Sequence, residues 1–252
     1  MTALRDTGIL VGRSMRHIQR SPDTIITVAI MPIMIMLLFV YVYGGAIKTS
    51  TGTDNYVNYM LPGILLIAVA SGVAYTAYRI FLDMQKGIIT RLHSMPVSRS
   101  AVLWGHVLTS LVSSGVSLAV IILVALVMGF RSSAGLGAWL AAAGILALFT
   151  LALSWLAVIA GLTAKSIEGA SAFSYPLIFL PLISSAFVPT ATMPTPVRVF
   201  AEHQPVTAIV NSLRALLGGQ PVGSDLWTAL AWCTGFAVLA YFFAMRAYIR
   251  IP

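Results

Sequence analysis

Apolar residues in this chain come in runs of about twenty, and short polar stretches separate the runs. A helix needs ~20 predominantly apolar residues to cross a bilayer. Six runs fit that length: 24–43, 56–78, 101–128, 138–163, 170–188 and 226–245. They predict an all-α integral membrane protein with six transmembrane helices, organised as a single domain over residues 1–252. Pro32 lies inside the first run and predicts a kink there. Pro62 stands near one end of the second run, and Pro176 and Pro181 interrupt the fifth. Tyr41 and Tyr43 mark the far interface of the first.

The stretches between the runs carry patterns of their own. Residues 1–21 read as an amphipathic interfacial helix. Leu4, Gly8, Val11, Met15 and Ile18 share one face, and Arg5, Arg13, Arg16 and Arg20 gather on the other. That helix is either a surface anchor alone or an anchor whose basic face also touches a cytoplasmic partner. Residues 189–225 form the longest connection. Within it, Pro205 suits a first helical turn. Val206, Ile209, Val210, Leu213, Leu216 and Leu217 make an apolar stripe, and Gly218 and Gly219 end it. This helix is too short to cross a bilayer, so it either lies on the outer leaflet or dips into it. Residues 85–100, QKGIITRLHSMPVSRS, are polar and basic and cannot cross at all.

Composition agrees with a membrane environment. Of the 252 residues, 59% are hydrophobic and 9% charged, against about 25% charged in a soluble domain. Arg5, Asp6, Arg13, Arg16 and Arg20 interrupt the first residues, so these do not read as a cleaved signal peptide. One cysteine, Cys233, excludes an internal disulfide. The net charge of +8 points to orientation and contact with anionic lipid, not to nucleic acid. With the N-terminus inside, the inner segments hold Arg5, Arg13, Arg16, Arg20, Arg79, Lys86, Arg91, Arg99, Lys165, Arg246 and Arg250. The outer segments hold Lys48, Arg131, Arg198 and Arg214. This bias predicts a multi-pass cell-membrane protein with both termini cytoplasmic. It puts 85–100 in the cytoplasm and 189–225 outside.

Chemistry is sparse. The centres of the runs carry no ionisable group, and no HExxH, GxSxG or paired carboxylates at helical spacing occur. His17, His93, His106 and His203 lie in separate segments, which argues against a metal cluster. No catalytic, cofactor or metal residue is therefore assigned. The nearest text to a phosphate-binding loop is GLTAKS, Gly161 to Ser166, which lacks the glycine before its lysine. Energy for any uphill work must come from another chain or an ion gradient, and the lack of buried carboxylates favours another chain. The eleven methionines fit packing against lipid and neighbours better than a soft ligand pocket. Ser110, Ser113, Ser114, Gly115 and Ser117 give the third run a small face for close helix packing.

Three stretches carry a resemblance to a known family. KGIITRLHSMPVSRSAVLWG, Lys86 to Gly105, is similar to the basic Lys-Gly stretch, Arg-Leu and proline that enter the third span in permease subunits of type-2 ABC exporters. NYMLPGIL, Asn58 to Leu65, resembles the second-span start of the daunorubicin-resistance permease group. MPTPVRVFAEHQPVTAIVNSLRALLGG, Met193 to Gly219, resembles the family's outer segment. Thr90 and Gln85 depart from the pattern, since many members carry acids there.

The resemblance implies a permease that exports hydrophobic or amphipathic molecules such as a drug, antibiotic or lipid. Alternatives are a permease for lipid-linked polysaccharide, a nucleotide-independent pore or an accessory membrane protein. It implies two cytoplasmic ABC ATPase subunits, which hold the ATP and Mg, and a second or related permease copy. It also implies that 85–100 is a coupling segment. Lys86, Gly87, Ile88, Ile89, Arg91, Leu92, Met95 and Pro96, with Arg13 and Arg16, would meet the ATPase. The apolar members would seat against it while Lys86 and Arg91 steer it.

Overall fold

A computed structural model describes residues 22–44, 56–88, 91 and 99–249. The expected interfacial helix over 1–21 lies outside the described residues. Those described are helical apart from short turns, with no strand among them. The elements are α1 (Pro22–Leu37), continued by a π-helical turn (Leu38–Tyr43), α2 (Tyr56–Gln85), α3 (Arg99–Val127) and α4 (Leu136–Thr163). Two short helices follow, α5 (Ile167–Ala172) and α6 (Ser174–Phe179), then a 3-10 turn (Leu180–Ile183) and a second one (Thr190–Thr192). The chain ends with α7 (Thr195–His203), α8 (Pro205–Leu217) and α9 (Asp225–Ile249).

The long helix α2 is the axis of the bundle. Apolar residues cover its whole circumference, which suits a helix surrounded by protein. From Met60 to Ala70 every residue is buried. Helices α1, α3 and α4 and the α5–α6 segment pack along it, and α9 packs against α4 and α8. At its other end α2 continues past Tyr78 through Arg79 and Asp83 to Gln85, so the first part of the polar stretch is still helical.

Helix α9 shows which solvent the bundle is built for. Its buried stripe is Ala229, Cys233, Ala237, Ala240 and Ala244, while Trp227, Phe236, Leu239, Phe242 and Phe243 point outward. Small residues inside and large apolar residues outside invert the pattern of a water-soluble helix. The arrangement lets backbones approach and presents hydrocarbon to lipid. Helices α2, α3, α4 and α9 are each long and apolar enough to cross a membrane. The first and fifth apolar runs form shorter pieces: α1 with its π turn, and α5, α6 and the 3-10 turn. Pro181 is the second residue of that 3-10 turn, where its missing N–H breaks the helical ladder.

Glycine permits the closest crossing. A Cβ on Gly161 of α4 would lie 2.7 Å from the Ala77 carbonyl oxygen and 2.8 Å from the Ile80 Cβ of α2. The GLTAKS text therefore has a packing role at its start. At its end the Ser166 hydroxyl accepts from the Gly169 N–H at 3.0 Å and caps α5.

The amphipathic helix expected after Pro205 packs its stripe on protein. The apolar stripe of α8, including Ile209, Val210 and Leu213, is buried against α9, α4 and α2. The helix does begin at Pro205, and Gly218 caps its end.

Candidate functional site

Two regions at opposite ends of α2 combine charge with structure. The first is the Gln85 end, where α2 hands over to the basic segment. The Lys86 N–H donates to the Leu82 carbonyl at 2.9 Å and the Gly87 N–H to that of Met84 at 3.0 Å. Gly87 then adopts a left-handed φ of +66°. That conformation stops a helix and favours glycine over any side chain. The Arg91 N–H donates to the Gly87 carbonyl at 3.1 Å, so a new helical turn begins at once. Lys86 and Arg91 are exposed and Ile88 is half-buried. Lys86, Gly87, Ile88 and Arg91 thus form one basic turn at the tip of α2. Ile89, Leu92, Met95, Pro96, Arg13 and Arg16 lie outside the described residues.

The polar segment also has a base that the sequence did not reveal. The His106 Nε2 of α3 lies 3.5 Å from the Asp83 Oδ2 of α2. The pair joins the two helices from which the segment hangs. Close by, Trp155 of α4 makes edge-on contacts with Trp104 of α3 and Tyr241 of α9, with ring centroids 5.1 and 4.8 Å apart. Helices α2, α3, α4 and α9 are thereby locked together at this end. The only sequence signal was that Asp83 and His106 flank the basic segment, and hydropathy alone could not pair them.

The second region is at the Tyr56 end, around residues 180–188. This stretch leaves the helical ladder while it is largely buried; Ser184 and Ala186 have no exposed surface. Irregular backbone at such depth needs partners for its carbonyls. Long side chains supply them. The Tyr56 hydroxyl donates to the Phe187 carbonyl at 3.0 Å. The Gln204 Nε2 donates to that of Ile183 at 2.6 Å. The Arg214 Nη2 donates to that of Ser185 at 2.7 Å.

Arg214 does more than serve that stretch. Its Nε donates to the Tyr59 carbonyl at 3.2 Å, and its Nη1 to the Asn211 Oδ1 at 3.2 Å. Asn211 also accepts from the Ser185 hydroxyl and donates to the Asp225 carboxylate. One half-buried arginine therefore ties α8 to α2, to the irregular stretch and, through Asn211, to α9. Burial pulls its pKa down and the neighbouring tyrosines Tyr59 and Tyr56 oppose the shift; an arginine stays protonated regardless. The sequence marked Arg214 only as an outer charge. Its position beside the apolar stripe, one residue after Leu213, was the available signal. On α7, by contrast, Arg198 and Glu202 form an exposed pair at 2.7 Å, and this hydrogen bond holds the Glu202 carboxyl below its ordinary range.

No three His, Cys, Asp or Glu side chains gather as a metal site among the described residues. What the two regions can do is mechanical: a stiff buried rod with a basic tip at one end and a polar lock at the other.

Comparison with known proteins gives this arrangement a context. Residues 5–217 match the family described as ABC-2 type transporter. Over 251 residues the chain is 29% identical to the daunorubicin resistance ABC transporter permease protein DrrB1 of Streptomyces coeruleorubidus, covering 98% of this chain and 87% of that one. It is 27% identical over 221 residues to the probable doxorubicin resistance ABC transporter permease protein DrrC of Mycobacterium tuberculosis, covering 86% and 78%.

Proposed function

The chain belongs to the ABC-2 type transporter family, and on that premise we propose that it is the membrane permease of an ATP-driven exporter. The proposed cargo is a hydrophobic or amphipathic molecule of the drug or antibiotic class. The names of the two relatives, which refer to daunorubicin and doxorubicin resistance, support that class.

In this reading the single domain crosses the membrane six times. The four long helices are joined by α1 with its π turn and by the α5–α6 segment. The positive bias of the inner segments supports cytoplasmic termini. The basic tip of α2 then faces the cytoplasm and docks on an ABC ATPase through Lys86, Gly87, Ile88, Ile89, Arg91, Leu92, Met95 and Pro96, with Arg13 and Arg16 beside it. Two ATPase subunits carry the ATP and Mg, and this chain does no hydrolysis itself.

The observation that carries the reading is the continuity of tip and axis. α2 has 30 residues, a rod of about 45 Å, and α1, α3, α4, α8 and the α5–α6 segment pack around it. A push on Lys86–Arg91 therefore acts on the helix against which the rest of the bundle leans. The Asp83–His106 pair passes the same push to α3.

A second permease copy completes the path. The π turn of α1 and the chain after the 3-10 turn meet where Phe39 packs on Phe187, at 4.7 Å between centroids. Irregular backbone at membrane depth is tolerated where protein or a water-filled path covers it. The exposed side chains Met34 of α1, Tyr41 of its π turn, and Tyr175 and Phe179 of α6 precede or flank these stretches along the chain and are where that cover belongs.

The test is ATP-dependent accumulation of doxorubicin in inverted vesicles that contain the chain and an ABC ATPase encoded beside it. Accumulation should require both proteins, and the ATPase should co-purify with the chain. Accumulation with the ATPase left out would sink the proposal. A tag inserted after Ser50 should be reachable from outside intact cells; labelling only after lysis would reverse the orientation.

A further inference from the structure

An apolar groove of about 230 Å³ runs between α3 and α4. Its rim is made of small residues, Gly115 and Ala119 on α3 and Ala143 and Ala147 on α4, and all four are exposed. Its floor is Leu65 of α2 with Thr150 of α4, both buried. Trp139 and Leu217 close it at the Tyr56 end. The hollow exists because glycine and alanine face each other where leucines would fill the gap. A Cβ on Gly115 would meet nothing within 4 Å.

In a bilayer this space is open to hydrocarbon. Water has little reason to enter, since a water needs two or more polar partners. The Thr150 hydroxyl already donates to the Leu146 carbonyl at 2.7 Å. The stretch from Trp139 to Thr150 spans about 16 Å of helix, close to half of the ~30 Å hydrocarbon core. The groove therefore has the depth of one leaflet.

The turn joining α3 to α4 stands over the same end and carries a fixed cation. Asn58 clasps the Arg131 backbone, donating to its carbonyl at 2.7 Å and accepting from its N–H at 3.1 Å. The Arg131 Nη1 donates to the Phe130 carbonyl at 3.0 Å and that of Leu126 at 3.4 Å. The Phe130 ring in turn meets the groove-lining Trp139 edge-on at 6.4 Å. The Nε and Nη2 of Arg131 have no partner among the described residues. The other described cations at this end are committed, Arg198 to Glu202 and Arg214 to the polar lock. A planar guanidinium with free donors, beside an interfacial tryptophan, is suited to a phosphate.

We infer that the α3–α4 groove binds a phospholipid of the leaflet facing the Arg131 turn, with one acyl chain between the helices and the phosphate on Arg131. The inference rests on bilayer embedding alone, not on the exporter reading.

The experiment is native mass spectrometry of the full chain, purified without any ATPase, in detergent with added phosphatidylglycerol. A diacylglycerol with the same chains is the headgroup control. The chain should retain one phosphatidylglycerol through a delipidating wash and should not retain the diacylglycerol. Arg131→Gln should weaken retention about tenfold, as expected for one charge-assisted contact. Ala143→Phe, which fills the groove, should abolish it, and Val238→Phe on the lipid-facing side of α9 should leave it unchanged. Equal retention by Arg131→Gln and the parent chain would overturn the inference, as would equal binding of the diacylglycerol. If Ala143→Phe does not fold, Arg131→Gln carries the test alone, because its side chain lies outside the helix packing. Transport plays no part in the readout, so failure of the exporter reading would leave this result standing.

Discussion

The guanidinium of Arg214 lies 3.9 Å above the ring of Tyr59 while its Nε donates to the carbonyl of the same residue. A cation held over an aromatic face and bonded to the backbone beneath it is fixed in both position and tilt. The third nitrogen reaches Ser185, so α2, α8 and the irregular stretch share one donor.

Arg214→Leu should therefore lower thermal stability. It removes a donor from the Tyr59 carbonyl and strips the Ser185 carbonyl, which lies off the helical ladder; an acceptor left unpaired in a buried site costs about 1–3 kcal/mol. Arg214→Lys should rescue only in part, because an ammonium cannot serve a fork of acceptors. The readout is the unfolding midpoint of the detergent-solubilised protein. A midpoint equal to the parent in Arg214→Leu would mean these bonds do not hold the lock.

Gly161→Val should separate α2 from α4. The added carbon would sit within 3 Å of Ala77 and Ile80 atoms, and overpacking of this kind costs about 1–3 kcal/mol. Gly144→Ala on the same helix meets open space and should be neutral or slightly stabilising through helix propensity. Yield of monodisperse protein after solubilisation compares the two. Equal yields would place the α2–α4 crossing elsewhere.

Asp83→Asn and His106→Gln should leave insertion intact and reduce cargo moved per ATP consumed. Each removes the tie between the two helices from which the basic segment hangs. The ratio of transport to hydrolysis in vesicles is the quantity to follow. A ratio unchanged in both variants would remove the pair from the coupling route.

Lys86→Glu together with Arg91→Glu should weaken ATPase pull-down without loss of membrane insertion. Both side chains are exposed at the tip of α2, and reversing rim charges slows association more than it disturbs a fold. Undiminished capture of the ATPase would exclude this turn as the docking point.

Acid should release the Arg198–Glu202 pair. The folded-state pKa of Glu202 is depressed by the Arg198 hydrogen bond. Whatever stability the pair adds is thus present above the ordinary carboxylate range and lost as pH falls through the lower folded value. Arg198→Ala should return the Glu202 titration to its ordinary range, as followed by carbon NMR of a labelled glutamate. Both side chains are exposed, so the unfolding midpoint at neutral pH should hardly move.

Some of this molecule is legible in its residues alone. Runs of apolar residues set by bilayer thickness identify a helical membrane protein, because no other backbone arrangement built from local bonds satisfies itself in hydrocarbon. Pro205 and Gly218 mark the ends of α8 for equally local reasons. The Lys-Gly step at 86–87 marks a basic loop, and the left-handed Gly87 explains the step.

What α8 does with its apolar stripe is not legible in that way. An amphipathic helix has the same sequence whether its stripe meets lipid or protein, and here α2, α4 and α9 cover it. The fifth run illustrates the same limit. Its hydropathy suits one span, yet Pro181 and its neighbours leave the helix, and side chains distant in sequence bond the freed carbonyls.

Composition and spacing within a few turns were enough for the helical membrane class, the basic stretch and the family resemblance. It took the packed chain to make α2 the axis, to turn Arg214 into a lock, to bring Asp83 to His106 and to leave a groove between α3 and α4 beneath Arg131. Each of those joins residues that are remote along the chain, and a periodic pattern states which face a helix buries without stating what it is buried against.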